Sequence, residues 1–382
     1  MARPVVGIVG GGQLARMTAP AAQTLDIHLR VMAASADDCA AAVISDVVVG
    51  DHDDLVDLMA FAEGCDVVTF DHEHVPPEHL LALQEAGTAV RPGPAALVHA
   101  QDKIIMREAL SRAGLPCPRW AEVSDADDVA LFAEAGRWPV VLKVSRGGYD
   151  GRGVWVVESP AEAAEVMAST ALKPGARWLV EEKVEFVREL SAQVARSPHG
   201  QAVAYPVVES LQVNGICKEV IAPAPGLSPE RSARAQRVAL DVAAALGVEG
   251  MLAVELFDTG QDVLVNELAM RPHNTGHWSI EGADTSQFEN HLRAVLDLPL
   301  GSPAPRLPCT VMVNVLGGRY DDLHDGFLHV MARDPGVKVH LYGKAVRPGR
   351  KVGHVTVLGA DPEVLLARAR HAADFFEGTI DG

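Results

Sequence analysis

Within Arg146-Gly147-Gly148-Tyr149-Asp150-Gly151-Arg152-Gly153 the chain places four glycines between and beside two arginines. Glycine-rich backbone turns its N–H groups onto one point without steric cost, and such a concavity binds anions. Pro139–Val144 precedes it as a short apolar strand carrying Lys143, and Val154–Val157 follows as a second strand. A Walker loop would run from strand to helix and end in Gly-Lys-Ser/Thr; this one joins two strands. The segment therefore reads either as an ordinary hairpin turn or as a lid over nucleotide phosphates, with Gly148 and Gly153 at its ends.

A second constellation lies in two apolar segments, Met251–Phe257 with Glu255 and Val263–Leu268 with Glu267, joined by the turn residues Asp258-Thr259-Gly260. With an odd loop, Glu255 faces Val265 and Glu267 lies diagonally beside it on the same face. Two carboxylates on neighbouring strands form a hard oxygen site suited to Mg²⁺, with Asn266 as a further ligand or phosphate contact. Two solvated glutamates are the alternative, which fits poorly with strands apolar on both faces. Arg271-Pro272-His273-Asn274-Thr275-Gly276-His277-Trp278 follows at once, and supplies arginine, histidine and asparagine donors for an oxyanion. Glu181-Glu182-Lys183-Val184 ends another strand with carboxylates and then main-chain groups, an edge able to pair with adenine and ribose; Glu189 follows. Near the C-terminus, Leu341–His354 carries Lys344, Arg347, Arg350 and Lys351 among glycines and a proline, a pattern for a shaped phosphate pocket.

These residues need a scaffold. The 382 residues exceed the ~250–300 at which single cores stop growing, so two or three packed units are expected. Hydrophobic content of 48% with 22% charged residues is that of a globular chain. No apolar run reaches the roughly 18 residues of a membrane span. Met1-Ala2-Arg3-Pro4 enters a strand without signal-peptide pattern, and the five scattered cysteines include no Cys-x-x-Cys. Both features predict reduced thiols and a cytoplasmic location. A formal charge of −18 disfavours nucleic acid and anionic membrane as partners. Any anionic substrate must then be held by a local basic cluster.

The first hundred residues alternate strand and helix: Val5–Val9, Gln13–Thr24, His28–Met32, Val47–Val49, Asp53–Ala62, Val67–Phe70, Glu78–Ala86 and Thr88–Arg91. This predicts a parallel sheet covered on both faces. Gly10-x-Gly12-x-x-Ala15 fits the dinucleotide fingerprint, but the acidic residue expected at the end of the second strand is missing. The turn is left as an anion site at a helix N-terminus, such as for a substrate phosphate. A boundary is read at Arg91–Pro94, then helices from about Gln101 to Arg112, from Ser124 to near Gly136, from Ser159-Pro160, and from Ser228-Pro229 to Gly247. A proline-rich joint (Pro299, Pro303, Pro305, Pro308) precedes the C-terminal unit.

In this order the elements resemble the ATP-grasp superfamily, and within it the ATP-dependent carboxylases of purine ribonucleotide biosynthesis. The resemblance runs nearly end to end, on Gly10–Leu14, Thr69–Pro76, Arg146–Gly153, Asn266-Glu267, Arg271–Trp278 and Tyr342–His354. It implies an α/β ATP-grasp fold: an N-terminal parallel-sheet, Rossmann-like substrate domain (1–97), an ATP-grasp domain (98–300) with a mobile lid at about 118–184, and a small C-terminal domain (301–382). It implies ATP-dependent carboxylation of 5-aminoimidazole ribonucleotide by bicarbonate through carboxyphosphate, with Mg²⁺ or Mn²⁺, in a homodimer. Lys103, Lys143, Asn266, Gln212 and the lid residues Gly148, Tyr149, Asp150, Gly151, Arg152 and Gly153 would hold ATP. Glu181, Glu182, Lys183, Val184 and Glu189 would take adenine and ribose, and Glu255 and Glu267 the metal. Tyr149, Arg152, Arg271, His273 and Asn274 would act at the reacting groups. Gln13, Glu73, Asp150, Arg271, His273, Lys344, Arg350 and Lys351 would bind the ribonucleotide and bicarbonate.

Two departures stand out. The family usually has Thr-Phe-Glu-Phe-Glu-Asn-Val-Pro where this chain has Asp71-His72-Glu73-His74, and Gln212 stands where a histidine is often found. Rival readings are another ATP-grasp ligase, such as a glycinamide ribonucleotide enzyme or biotin carboxylase, and a nicotinamide-dependent oxidoreductase using Gly10–Ala15.

Overall fold

In the computed structural model the described residues are 3–148, 152–213 and 215–381. The N-terminal segment forms five strands, β1 (Val5–Val9), β2 (His28–Ala33), β3 (Asp46–Val49), β4 (Val67–Phe70) and β5 (Ala89–Val90). They pair in the order β3-β2-β1-β4-β5, all parallel, as the alternating pattern requires. Helices α1 (Gln13–Thr24), α2 (Leu55–Ala62) and α3 (Pro77–Glu85) make the crossovers and cover the sheet. β1 and β4 are apolar on both faces because both are packed, the mark of a parallel sheet.

The helix expected from about Gln101 to Arg112 begins at Lys103, and a further helix precedes it. α4 (Pro94–Gln101) begins on Pro94, a residue pre-set for the first helical turn, where the sequence suggested a boundary. α5 (Lys103–Arg112) begins after Asp102, which is extended and accepts from Ile104 N at 3.0 Å and Ile105 N at 3.3 Å. An N-cap aspartate thus separates the two helices.

A four-stranded antiparallel sheet follows, β6 (Trp120–Val123), β7 (Val140–Val144), β8 (Val154–Val157) and β9 (Trp178–Glu182), in the order β6-β9-β7-β8. α6 (Ala126–Glu134) and α7 (Pro160–Ser169) pack on it through Val129, Phe132 and Ala163. Asp125, not Ser124, caps α6, accepting from Asp127 N and Asp128 N. Ser159 caps α7 as its Ser-Pro-x-Glu pattern predicts.

The largest sheet has nine strands: β10 (Arg188–Arg196), β11 (Ala202–Ala204), β12 (Val208–Val213), β13 (Ile216–Ala222), β14 (Gly250–Asp258), β15 (Val263–Ala269), β16 (Cys309–Leu316), β17 (Lys338–Leu341) and β18 (Lys351–Gly359). Their order is β15-β14-β10-β12-β13-β16-β18-β17, with β11 on β10. The strands beyond the proline-rich joint therefore extend the same sheet, through antiparallel pairing of β13 with β16. α8 (Pro229–Ala245) and α10 (Gln287–Val295) cover one part, with the short α9 (Ser279–Gly282) between β15 and α10 in sequence. α12 (Pro362–Glu377) covers the C-terminal strands, with α11 (Phe327–Arg333) in the same apolar cluster. Among the described residues no helix is long and apolar enough to cross a membrane.

Candidate active site

β14 and β15 run to the edge of the large sheet through a four-residue connection, since Asp258 pairs with Val263. That register alone would set Glu255 against Asn266. Between Leu256↔Val265 and Glu255↔Glu267 the ladder shifts, leaving Asn266 as the extra residue of a β-bulge. Glu255 therefore faces Glu267 directly, and not Val265 as the odd-loop reading expected. Burial first, then the charges of Glu267 and Glu189, push the Glu255 carboxyl up to about 8. Burial also pulls Glu267 upward, but Lys103, 2.6 Å away, with Lys143 and Arg107, outweighs it and holds the group below its ordinary range. Among the described residues no three His, Cys, Asp or Glu side chains converge as a metal cage. Two opposed carboxylates without a third fit Mg²⁺, which takes one or two protein carboxylates and completes its shell with phosphate and water.

Lys103 opens α5 and Lys143 sits near the end of β7, and both ammonium groups reach this edge. Lys143 Nζ lies 2.7 Å from Glu181 Oε2 and donates to Asn266 Oδ1 at 3.4 Å. Burial lowers the Lys143 pKa, while Glu181 pulls the other way. Glu181 itself is buried, and its second oxygen accepts from Arg107 Nε at 2.6 Å. Burial raises the Glu181 pKa, yet Arg107 and Lys143 overcome it and bring the carboxyl down to about 2. The Glu181 side chain, expected at adenine and ribose, is the counter-ion of Lys143 and Arg107 in this structure. Glu182 is committed too, accepting from Arg119 N at 2.8 Å. Lys183 and Val184 follow at the accessible end of this strand, Lys183 exposed and Val184 half-buried. Glu189 stands on β10 opposite Phe257, and Gln212 on β12 opposite Cys217.

The break at Asp102 has a consequence at the lid. Its second oxygen accepts from Arg146 Nε at 2.7 Å, while Lys103 N donates to Ser145 O at 2.9 Å. The base of the lid is thereby fixed to the turn that carries Lys103. Gly148 must be glycine because a Cβ there would lie 2.6 Å from Arg152 O, and Gly153 has φ +75°. Arg152 is exposed. Tyr149, Asp150 and Gly151, assigned above to ATP and the reacting groups, lie outside the described residues.

The turn after β15 is organised by Gln287, a buried residue of α10 that the sequence reading passed over. Its Oε1 accepts from His273 N at 2.9 Å, and its Nε2 donates to His273 O at 2.8 Å and contacts His277 Nδ1 at 2.9 Å. Gly276 lets this amide approach; a Cβ would sit 2.3 Å from Gln287 Oε1. His273 Nδ1 lies 2.9 Å from Thr275 Oγ1 and 3.4 Å from Thr275 N, and its Nε2 lies 3.6 Å from Glu255 Oε1. Burial, then Arg271 and Lys351, drives the His273 pKa down to about 3, so the imidazole is neutral. Asn274 Nδ2 is buried beside the Cys217 thiol. His277, in contrast, is core: fully buried and stacked on Phe288.

Arg271 Nε lies 2.9 Å from the Glu73 carboxylate, joining this turn to the end of β4. Beside it, Lys344 Nζ donates to Gln13 Oε1. Arg350, exposed, donates to Ala345 O at 3.1 Å, and Lys351 opens β18. Asp71 changes the reading of the glycine turn. Leu14 N donates to its Oδ1 at 3.0 Å, and a Cβ on Gly12 would lie 1.9 Å from its Oδ2. An internal carboxylate thus covers the N-terminus of α1, where the sequence reading left room for a substrate phosphate or a dinucleotide. An anion held at this helix end takes up the donor that a dinucleotide pyrophosphate would use.

Comparison with known proteins gives the family. Residues 3–101 match the ribonucleotide synthetase preATP-grasp domain, 108–288 the ATP-grasp domain, and 310–368 the phosphoribosylaminoimidazole carboxylase C-terminal domain. The N5-carboxyaminoimidazole ribonucleotide synthase of Mycobacterium tuberculosis is 54% identical, over 97% of this chain and 87% of the relative. The crystal structure of N5-carboxyaminoimidazole ribonucleotide synthetase from Thermus thermophilus superposes with a TM-score of 0.87 at 39% identity, over 96% of this chain and 98% of that one. An Aspergillus clavatus N5-carboxyaminoimidazole synthase, solved with ADP and 5-aminoimidazole ribonucleotide, is 30% identical with a TM-score of 0.88, over 98% of this chain and 99% of its own.

Proposed function

The chain belongs to the N5-carboxyaminoimidazole ribonucleotide synthase family of ATP-grasp ligases, and from that premise we infer how its own residues divide the reaction. It is an ATP-dependent ligase of purine biosynthesis, joining the carbon of bicarbonate to the exocyclic amine of 5-aminoimidazole ribonucleotide. The observation that carries the assignment is the edge where Lys103 and Lys143 meet the opposed Glu255 and Glu267, with the Arg271–Asn274 turn directly behind it.

Lys103 and Lys143 hold the β- and γ-phosphates of ATP, and main-chain groups at Lys183 and Val184 hold adenine. Glu255 and Glu267 would hold Mg²⁺. Bound there, the ion would supply positive charge to offset the negative charge on the transferring group. A bicarbonate oxygen attacks the γ-phosphorus, the P–O bond to ADP breaks, and carboxyphosphate forms. Arg271 and the Asn274 amide offer donors to its oxyanions. The amine nitrogen of the ribonucleotide then bonds to the carboxyl carbon as phosphate departs, and the amine proton leaves with phosphate. Neutral His273 offers its Nε2 beside Glu255. Gln13, Glu73, Lys344 and Arg350 surround the ribonucleotide, and closure of the lid excludes water from carboxyphosphate.

The test is ADP release measured with and without 5-aminoimidazole ribonucleotide and bicarbonate. Full turnover is expected only with both. A biotin carboxylase or glycinamide enzyme would be indifferent to this ribonucleotide.

A further inference from the structure

Arg107 lies on α5 one turn beyond Lys103 and is wholly buried. Besides the ion pair with Glu181, its NH1 donates to Val265 O at 3.0 Å and its NH2 to Asn266 O at 2.8 Å. These two carbonyls belong to consecutive residues at the bulge that turns Glu267 toward Glu255. A bulge breaks the ladder locally and leaves backbone groups to be satisfied elsewhere. On the amide side, Val265 N donates to Pro116 O at 2.8 Å, in the segment leaving α5. The bulge is therefore gripped through its carbonyls by α5 and through an amide by the residue shortly after it. A guanidinium is the one side chain whose rigid fork can serve two carbonyls and a carboxylate together; an ammonium cannot match that geometry.

We propose that Arg107 is a positioning residue for the ligase reaction: it locks the bulge at Asn266 so that Glu255 and Glu267 face one another at the metal edge, while its third contact fixes Glu181 and so Lys143. Without the bulge, the four-residue connection sets Asn266 opposite Glu255 and turns Glu267 to the other face of the sheet, because side chains alternate. The Glu181 pair accounts for the buried charge of Arg107, and the two carbonyl contacts add the hold on the bulge. This inference rests on reading Glu255 and Glu267 as the metal ligands.

The experiment compares the parent, Arg107→Lys and the double variant Arg107→Met/Glu181→Gln, which removes the charge pair together. Mn²⁺ binding in the presence of ADP is followed by the electron paramagnetic resonance signal of free Mn²⁺, alongside steady-state kinetics and melting temperature. Both variants should bind Mn²⁺ at least about tenfold more weakly, with the ribonucleotide KM within about twofold of the parent, a factor of ten being about 1.4 kcal/mol. Arg107→Lys should recover phosphate affinity through Glu181 and Lys143 without recovering Mn²⁺ affinity. Parent-like Mn²⁺ binding in a variant that merely melts lower would overturn the proposal, as would failure of both variants to fold, which would make Arg107 a stability residue. Absence of Mn²⁺ binding in the parent would overturn the metal reading itself, and the proposal with it.

Discussion

Lys344 donates to Gln13 across 331 positions of sequence, joining the first turn of α1 to the loop between β17 and β18. Their meeting brings the N-terminal sheet and the C-terminal extension of the large sheet to one pocket, beside Asp71 and Arg271. An acidic protein collects its cations there, as binding a phosphorylated substrate requires.

Lys344→Ala should therefore raise the KM for the ribonucleotide by about ten- to a hundredfold, since a charge-assisted contact contributes roughly 1.5–3 kcal/mol. Arg350→Ala should act in the same direction but less, because that guanidinium is exposed at the rim. The KM for ATP should stay within about twofold in both. Varying each substrate in turn separates the two; an equal rise for ATP would move this segment to the nucleotide site.

Glu267→Gln should lower turnover by about a hundredfold or more while circular dichroism is unchanged, because it removes a charged ligand and the partner of Lys103. Near-parental ATPase activity at saturating Mg²⁺ would contradict the metal assignment.

Asp71 yields a pH-dependent outcome. Burial raises its pKa from 3.8 to about 6 against the pull of Arg271 and Lys344. An acid raised in the folded state adds stability that is complete below pH 3.8 and is lost as pH rises through about 6. Asp71→Asn abolishes this titration, so the stability of the variant relative to the parent should climb between those values and level off above. Urea midpoints across that range measure it; a constant difference would show that Asp71 titrates normally.

Gly12→Ala should destabilise the fold by about 1–3 kcal/mol, the range for overpacking, because its methyl would press on Asp71 Oδ2. Asp71→Ala in the same chain should recover part of that loss. Equal melting temperatures for Gly12→Ala and the parent would show that the carboxylate moves aside freely.

Much of this protein was legible in its residues. β1, α1 and β4 end where the sequence pattern placed their ends, and the order of the lid, the paired glutamates, the Arg271–Trp278 turn and the basic C-terminal segment carried the family resemblance that implied the chemistry. These are local signals: periodicity, turn residues and the types of side chain in one stretch of chain. Other features belong to the tertiary structure. Spacing could not show that Glu255 meets Glu267, because one extra residue at Asn266 reverses which face a side chain takes. Nor could it show that Glu181 turns inward to Arg107 and Lys143, since a strand-end glutamate reads alike whether it meets ribose or a buried cation. Gly10–Gly12 spelled an anion site, and the anion proved to be Asp71, delivered by a strand that is adjacent only in the folded sheet. Register and the pairing of buried charge depend on groups distant in sequence, and so are decided only when the sheets close.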